Sequence, residues 1–255
     1  MSPEIPIETF EIFATGIDHP ECLAFDRNRD LWAGGEAGQI YRISPESSVQ
    51  LITSMGGFCG GLAFSLKDEL FVCNPTLGIV RVESSGKFSV FATHAANHKL
   101  ICPNYGLFDP DGNYYVTDSG NWKKNNGYLL RFTPSGSGQI LAGPFGYANG
   151  LALSADERFL FMVESNTDSV FRFEIRGDGS LGPTELYASD EIWRISPARQ
   201  KSLFAWDRWA ILLGSPTNMA FGGKNLDELY VANLARTTIT RAKVKRKGQP
   251  LVNQR

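Results

Sequence analysis

Side-chain oxygens recur at one position of a repeated phrase, where they could bind a metal ion. The phrase is a short polar turn followed by an apolar triplet. Two residues before the triplet, the chain has Glu21 in the first copy and Asn149 in the fourth. Hard divalent cations prefer carboxylate and amide oxygens as ligands. The pair therefore predicts a metal site. The alternative interpretation is an ordinary turn carboxylate and a turn-forming Asn.

A second candidate carboxylate, Asp118, directly follows an apolar run. We expect this run to be a strand that ends near Glu21 and Asn149. We predict that Asp118 contacts substrate, with a structural Asx turn as the alternative. The three histidines, His19, His94 and His98, show no ligand spacing. No serine lies in a Gly-x-Ser-x-Gly turn, so the sequence does not favour a serine hydrolase.

Composition excludes several classes of protein. The 255 residues carry a net charge of −2, without the basic surplus of a nucleic-acid binder. No apolar run approaches membrane-spanning length, and the first ten residues lack a basic signal region. The four cysteines form no Cys-x-x-Cys pair, which favours free thiols in a reducing compartment. We therefore expect a cytoplasmic protein with no nucleic-acid or membrane partner.

Four short phrases recur in order, and each reads as a β-strand. The first contains the triplets Leu23-Ala24-Phe25, Leu62-Ala63-Phe64, Gly106-Leu107-Phe108, Leu151-Ala152-Leu153 and Met219-Ala220-Phe221. The second contains runs such as Leu31-Trp32-Ala33 and Tyr114-Tyr115-Val116, and the fourth contains runs such as Val90-Phe91-Ala92. The third alternates apolar residues with an arginine: Arg42, Arg81, Arg131, Arg172, Arg194 and Arg241. Four strands in about 40 residues predict a β-propeller blade.

The spacing of these arginines predicts an incomplete blade. The intervals are 39, 50, 41, 22 and 47 residues, so the fifth unit lacks about two strands. We expect one all-β domain over residues 1–255, with a six-bladed plan and a truncated fifth blade around residues 189–206. The run Phe10–Ala14 should supply the outer strand of the last blade and close the propeller, which removes an exposed sheet edge.

These phrases resemble the SMP-30/gluconolactonase/LRE family of six-bladed propellers. The resemblance is carried by Ala148-Asn149-Gly150-Leu151-Ala152, by Asp109-Pro110-Asp111-Gly112-Asn113 and by Pro216-Thr217-Asn218-Met219-Ala220-Phe221-Gly222-Gly223. It covers roughly residues 10–250. Strictosidine-synthase-like propellers share the plan but have a different site.

The resemblance implies a divalent metal in the central channel, Ca²⁺ first and Zn²⁺ or Mn²⁺ as alternatives. Glu21 and Asn149 match two of the family's three ligands. It also implies that Asn104 contacts substrate. We predict a substrate contact for its neighbour Tyr105 as well, although the family commonly has Asp at that position. The third ligand, an Asp of the fifth blade that also helps water attack, has no counterpart. Asp190 and Glu191 lie at that junction but in no positioned strand.

Three functions remain open. The first is a metal-dependent hydrolase of a small lactone or sugar-like cyclic ester, impaired by the missing carboxylate. The second is a propeller that binds a ligand or partner without turnover. The third is a poorly folded product of a deletion. Because loss of a general base costs about 10²–10⁴-fold in rate, we expect lactonase activity to be weak or absent.

Overall fold

The computed structural model describes residues 4–189, 194–195, 201–202, 212–213, 216–250 and 252–254. It divides into two compact units. The first comprises Met1–Cys59, Ser84–Gly86 and Ile192–Arg255, and the second comprises Gly60–Glu83 and Lys87–Glu191. Whether the chain behaves as one domain stays a prediction.

Nearly all regular structure in the described residues is β, apart from the 3₁₀ turns Ile7–Thr9 and Val252–Gln254. No helix among these residues has the length and apolarity needed to cross a membrane. In chain order the strands are β1 (Phe10–Thr15), β2 (Cys22–Phe25), β3 (Leu31–Gly34), β4 (Gln39–Ile43), β5 (Val49–Ser54), β6 (Leu62–Phe64), β7 (Leu70–Asn74), β8 (Gly78–Val82), β9 (Phe88–Ala92), β10 (His94–Ala95), β11 (His98–Lys99), β12 (Pro103–Phe108), β13 (Tyr114–Asp118), β14 (Gly127–Phe132), β15 (Gly138–Phe145), β16 (Ala148–Leu153), β17 (Phe159–Glu164), β18 (Ser169–Glu174), β19 (Glu185–Ser189), β20 (Arg194–Ile195), β21 (Lys201–Ser202), β22 (Pro216–Gly222), β23 (Glu228–Asn233) and β24 (Thr238–Lys243).

The strands form five four-stranded antiparallel sheets, as an all-β propeller requires. The first unit holds β2-β3-β4-β5 and β1-β24-β23-β22. The second unit holds β6-β7-β8-β9, β12-β13-β14-β15 and β16-β17-β18-β19, together with the small hairpin β10-β11. In the first unit Phe10 pairs with Ala242 and Thr15 with Thr238. The N-terminal strand therefore completes the last blade, and that prediction is confirmed.

The fifth of the six predicted blades falls mostly outside the described residues. Within that stretch, β20 and β21 pair as a two-stranded sheet. Asp190 and Glu191 lie outside the described residues. Five complete sheets agree with five complete predicted blades, and the truncated blade stays a prediction.

The turn between the first two strands of a blade is set by one short polar side chain. Asp26 Oδ1 accepts a hydrogen bond from the Asp30 backbone N–H at 2.9 Å, and Asp109 Oδ1 accepts one from Asn113 at 2.7 Å. Ser65 and Ser154 play the same part for Glu69 and Phe159. Such local bonds favour a turn over continued sheet.

Four of the third-strand arginines are held by acidic neighbours, whereas Arg131 donates to the backbone carbonyl of Gly179. Arg42 Nε donates to Asp30 Oδ2 at 2.6 Å, and Arg241 Nε donates to Glu11 Oε1 at 3.0 Å. The residues on both sides of Arg42 and Arg241 are buried, and all but Thr240 are apolar, so the predicted alternation of the third strand is present. Burying those residues provides the main favourable term for folding.

Each unit has its own apolar core. In the first unit, the ring of Tyr230 packs against two phenylalanine rings, with centroid distances of 4.9 Å to Phe13 and 5.1 Å to Phe25. In the second unit, the core between the third and fourth blades contains Leu129, Phe145, Leu160, Met162 and Phe173. These cores fix the inner strands from which the candidate site residues project.

Candidate functional site

Glu21 lies in the first unit, directly before inner strand β2. Its side chain is largely buried, and Oε2 is inaccessible to solvent without a hydrogen-bond partner. Burial raises the pKa of this carboxyl to about 7, and the smaller effect of side-chain hydrogen bonding with Thr217 lowers the pKa. A carboxylate that is buried without a charge partner is unstable in its ionised form. Glu21 is therefore suited to receive a cation.

Thr217 connects Glu21 to the inner strand of the last blade. Its hydroxyl donates to the backbone carbonyl of Glu21 at 3.1 Å. Strand β22 carries a bulge between Pro216 and Asn218, where its register against β23 shifts. Bulges of this kind re-aim side chains at the rims of barrels and beside active sites. The next residue, Asn218, has an Oδ1 atom that is buried without a hydrogen-bond partner.

Asn104 lies in the second unit on a bulge of β12, between Pro103 and Tyr105. Its backbone carbonyl accepts a hydrogen bond from the Gly61 N–H. A Cβ atom at Gly60 would collide with the same carbonyl, which explains why this blade has glycine where the first blade has Glu21. Within the described residues, no hydrogen bond holds the Asn104 side chain, so its amide can bind another molecule.

Asn149 is the second residue of β16, the inner strand of the fourth blade. Its Nδ2 donates to Ser165 Oγ at 3.0 Å, which fixes the orientation of the amide. Its backbone carbonyl accepts a 2.7 Å hydrogen bond from Thr117 Oγ1, while Ser119 Oγ donates to Ala148 at 2.5 Å. Two buried hydroxyls of one blade thus hold the backbone of the next. Oδ1 of Asn149 has no partner among the described residues.

Thr117 also holds the predicted substrate residue Tyr105. The Tyr105 backbone N–H donates to Thr117 Oγ1 at 3.1 Å. The Tyr105 side chain is half-buried and packs against the apolar core between the third and fourth blades. The second unit therefore brings Tyr105 and Asn149 together through one hydroxyl that sequence reasoning did not single out. The sequence signal that could have revealed Thr117 is its position as a polar residue after the apolar run of the second strand.

Asp118 is fully buried, and its carboxylate is occupied by hydrogen bonds. Oδ2 accepts from His98 Nε2 at 2.7 Å and from the Ile101 N–H at 2.9 Å, and Oδ1 accepts from the Cys102 N–H at 2.6 Å. These bonds fix the segment that leads into β12 and Asn104. The predicted substrate contact of Asp118 remains untested, and this geometry gives the residue a positioning role.

All four cysteines are thiols rather than disulfides, and three of them are buried. Burial raises the pKa of the Cys102 thiol, and the nearby charge of Asp118 adds to the increase, while a hydrogen bond with Tyr147 opposes it. Cys59 lies in the first unit, where burial raises its thiol pKa to about 12. Neither residue is suited to act as a nucleophile near neutral pH. A cytoplasmic location stays a prediction drawn from the cysteine pattern.

An exposed group of possible metal ligands lies elsewhere in the first unit. Atoms of Asp18, His19 and Glu36 lie within 4.8 Å of one another. His19 Nδ1 is 2.9 Å from Asp18 Oδ1 and 3.4 Å from Glu36 Oε2, so these groups already interact. The hydrogen bond from His19 lowers the pKa of Asp18. These contacts account for the grouping of the three side chains without a bound ion.

A cavity of about 530 Å³ opens in the second unit. Lys123 and Lys124 line it and are exposed. The carboxylate of Glu164 lines it too, but its oxygens accept hydrogen bonds from the Gly146 N–H and the Thr167 hydroxyl. The two ammonium groups are therefore the charges best placed to meet a ligand.

Comparisons with known proteins agree with this architecture. A gluconolactonase from Xanthomonas campestris superimposes with a TM-score of 0.78 at 18% identity, over 92% of this chain and 89% of that one. The calcium-binding protein regucalcin from Agrobacterium tumefaciens gives 0.78 at 14% identity, over 99% of each chain. At these identities the likeness establishes the fold.

The sequence itself has similar relatives. The 6-deoxy-6-sulfogluconolactonase of Pseudomonas putida is 24% identical over 242 residues, 79% of this chain and 78% of that protein. The family model described as the SMP-30/gluconolactonase/LRE-like region matches residues 19–189. That match spans more than half of the chain, and it confirms the resemblance carried by the repeated phrases. The chain belongs to the SMP-30/gluconolactonase/LRE-like family.

Proposed function

We propose that the protein is a metal-dependent hydrolase that opens the lactone ring of a sugar acid. One observation carries the proposal. Glu21 presents a buried, unpartnered carboxylate oxygen at the start of an inner strand, in a chain of this family. Placing such an oxygen away from water is costly unless a cation or donor meets it. The printed names of the gluconolactonase relatives support the substrate class.

The donor set fits a hard divalent cation, since it consists of carboxylate and amide oxygens. Glu21 would hold the ion through Oε2, and the family resemblance adds Asn149 through Oδ1. When bound, the cation would polarise the lactone carbonyl and lower the pKa of a bound water. Calcium is our first choice, with Zn²⁺ and Mn²⁺ as alternatives.

The remaining residues bind and position. Asn104 has an amide able to donate to a substrate oxygen and to accept from a hydroxyl. Tyr105 lies beside it on the same strand and would form the wall of the substrate site. Asp118 holds the segment that precedes Asn104, and Thr117 fixes the backbone of Tyr105 and Asn149. Fixed first contacts reduce the entropic cost of reaching the reactive geometry.

The cavity beside Lys123 and Lys124 favours a substrate that carries an anionic substituent. Ammonium groups attract sulfonate or carboxylate groups, and the Glu164 charge opposes this less because its oxygens are engaged. A relative named for a sulfonated gluconolactone agrees with this choice. We propose on this basis that the substrate is an anionic sugar lactone whose charged substituent enters this cavity.

Proton release from glucono-1,5-lactone and its 6-sulfonated analogue tests the proposal. The protein is treated with chelator and then supplied with Ca²⁺, Zn²⁺ or Mn²⁺, and spontaneous hydrolysis is subtracted. We expect metal-dependent turnover well below the roughly 10 s⁻¹ of an ordinary enzyme, because the sequence predicts that the fifth-blade base is missing. Glu21→Gln should abolish it. Rates at background with all three metals would refute the proposal.

The second candidate function is ligand binding without turnover, favoured by the missing fifth-blade carboxylate. It predicts that the lactone, or its open acid, raises the melting temperature while no proton release is detected.

A further inference from the structure

Two oxygens at the start of inner strands of the first unit share an unusual condition. Glu21 Oε2 and Asn218 Oδ1 are both buried, and neither has a hydrogen-bond partner. An unsatisfied buried acceptor costs about 1–3 kcal/mol. Natural proteins retain few such groups, and each one calls for an explanation such as an ion or an ordered water.

Asn218 differs from the other two residues whose oxygens are in this condition. Asn233 and Asn253 use their amide nitrogens to hold backbone carbonyls, at 3.2 Å to Val231 and 3.0 Å to Phe25. Their orphaned oxygens accompany a structural hydrogen bond at the other end of the amide. Among the described residues, the Asn218 side chain forms no hydrogen bond at either end. No hydrogen bond within the described residues therefore accounts for the buried position of its Oδ1 atom.

The strand that carries Asn218 lies beside Glu21. The residue before Asn218, Thr217, donates its hydroxyl to the Glu21 backbone carbonyl at 3.1 Å. At the other end of the same strand, a Cβ atom at Gly222 would collide with the ring of Phe25, so β22 and β2 approach closely along their length. The bulge at Thr217 interrupts the strict alternation of side chains just before Asn218.

We propose that Asn218 Oδ1 is a metal ligand that acts together with Glu21. This inference rests on the proposed function, and it assigns to β22 a ligand outside the set that the family resemblance implies. It supplies an oxygen to a site whose fifth-blade carboxylate has no counterpart in this chain. Because the replacement is a neutral amide, the site keeps one negative charge where two would be usual.

This charge count has a measurable consequence. Calcium affinity falls as ligand charge is removed, and sites with few carboxylates bind in the range of about 10⁻⁴–10⁻³ M. We therefore expect wild-type protein to bind Ca²⁺ weakly. Converting the amide into a carboxylate at this position should restore the missing charge and tighten binding.

The test is a calcium titration of chelator-treated full-length protein. Calorimetry measures the Ca²⁺ affinity, and the melting temperature gives an independent readout of binding. Asn218→Leu removes the oxygen at similar volume, and we expect at least a tenfold loss of Ca²⁺ affinity. Asn218→Asp adds charge, and we expect roughly a tenfold gain. Glu36→Gln is the matched control, because it disables the exposed Asp18–His19–Glu36 group and should leave the affinity unchanged.

Each outcome decides the question. If Asn218→Leu and Asn218→Asp both bind Ca²⁺ like the wild type, the oxygen is met by water or by a protonated Glu21, and the proposal is overturned. It is overturned also if wild-type protein binds none of Ca²⁺, Zn²⁺ and Mn²⁺. If the affinities change as expected while no lactone is hydrolysed, the ligand stands and the proposed function fails. Should Asn218→Leu not fold, the Asn218→Asp titration alone decides.

Discussion

Thr117 donates a 2.7 Å hydrogen bond from its hydroxyl to the backbone carbonyl of Asn149. The donor lies on the second strand of one blade, and the acceptor is the second residue of the inner strand of the next. The same hydroxyl accepts from the Tyr105 N–H. One buried side chain therefore sets the relative positions of two residues that the sequence predicts to be functional.

Replacing Thr117 with valine should weaken both the fold and the site. Valine keeps the shape but leaves the Asn149 carbonyl without its donor, so we expect the free energy of unfolding to fall by about 1–3 kcal/mol. We also expect a larger loss in kcat/KM for lactone than the stability change explains. Urea denaturation and proton-release kinetics measure the two effects.

Thr240→Val is the matched control for this variant. Thr240 is equally buried on a strand of the first unit and accepts from Asn233 Nδ2 at 3.2 Å. It should lose similar stability and retain its kinetics. Equal kinetic losses in the two variants would show that Thr117 acts only through stability.

The strand plan could be predicted from sequence because it depends on local patterns. Turn residues such as Asp109 and Asp26 make hydrogen bonds within five residues. The apolar triplets lie on the first strand of the blade in each of the five described four-stranded sheets. The closing pair of Phe10 and Ala242 followed from the missing outer strand of the last blade.

The details of the site depend on contacts that the sequence pattern does not encode. The unpartnered oxygen of Asn218 depends on a bulge in β22, and the occupied carboxylate of Asp118 depends on backbone groups that fold back from Ile101 and Cys102. Bulges and irregular loops leave no period in the sequence. For this reason, the sequence pattern predicted a substrate contact for Asp118 and did not indicate that its carboxylate holds the backbone before β12.

The Glu21 carboxyl should make metal-free protein less stable as pH rises. Burial raises its pKa in the folded state to about 7 from an ordinary value of 4.5. At pH 4 both states hold the proton, and the group contributes no difference. Between pH 4.5 and 7 the unfolded state releases its proton first, so the free energy of unfolding falls, by about 3 kcal/mol at most, and then levels off.

Glu21→Gln should remove this decline. In chelator, we expect the variant to equal the wild type at pH 4 and to exceed its stability at pH 8. Urea denaturation from pH 4 to 9 gives the comparison, and the difference between the two proteins isolates Glu21 from other titrating groups. If the free energies of unfolding of the two proteins change in parallel over pH 5–8, the Glu21 carboxyl is better solvated than its burial indicates.

Lys123 and Lys124 should matter only for anionic substrates. Exchanging both for alanine should lower kcat/KM for 6-sulfogluconolactone roughly threefold to tenfold at low salt, since exposed charge pairs contribute about 0.2–1 kcal/mol each. Glucono-1,5-lactone should be hydrolysed at an unchanged rate. Screening at high ionic strength should erase the difference. Equal losses on both lactones would instead point to a disturbed site.

The last prediction concerns Glu21 and Asn149, which the sequence assigns to one ion. If both hold the same cation, their contributions to Ca²⁺ affinity cannot be independent. Glu21→Gln alone should abolish most binding because it removes the only charged ligand assigned to the site. Asn149→Ala should then cost little further in that background, although it costs severalfold in the wild type. Calorimetric titration of the wild type, the two single variants and the double variant gives the coupling free energy, which we expect at about 0.5–3 kcal/mol.

For the control pair Glu21→Gln and Glu36→Gln, the changes in Ca²⁺ binding free energy should add without coupling. Additive effects of Glu21→Gln and Asn149→Ala would separate the two residues, and Asn149 would then be a structural turn residue held by Ser165.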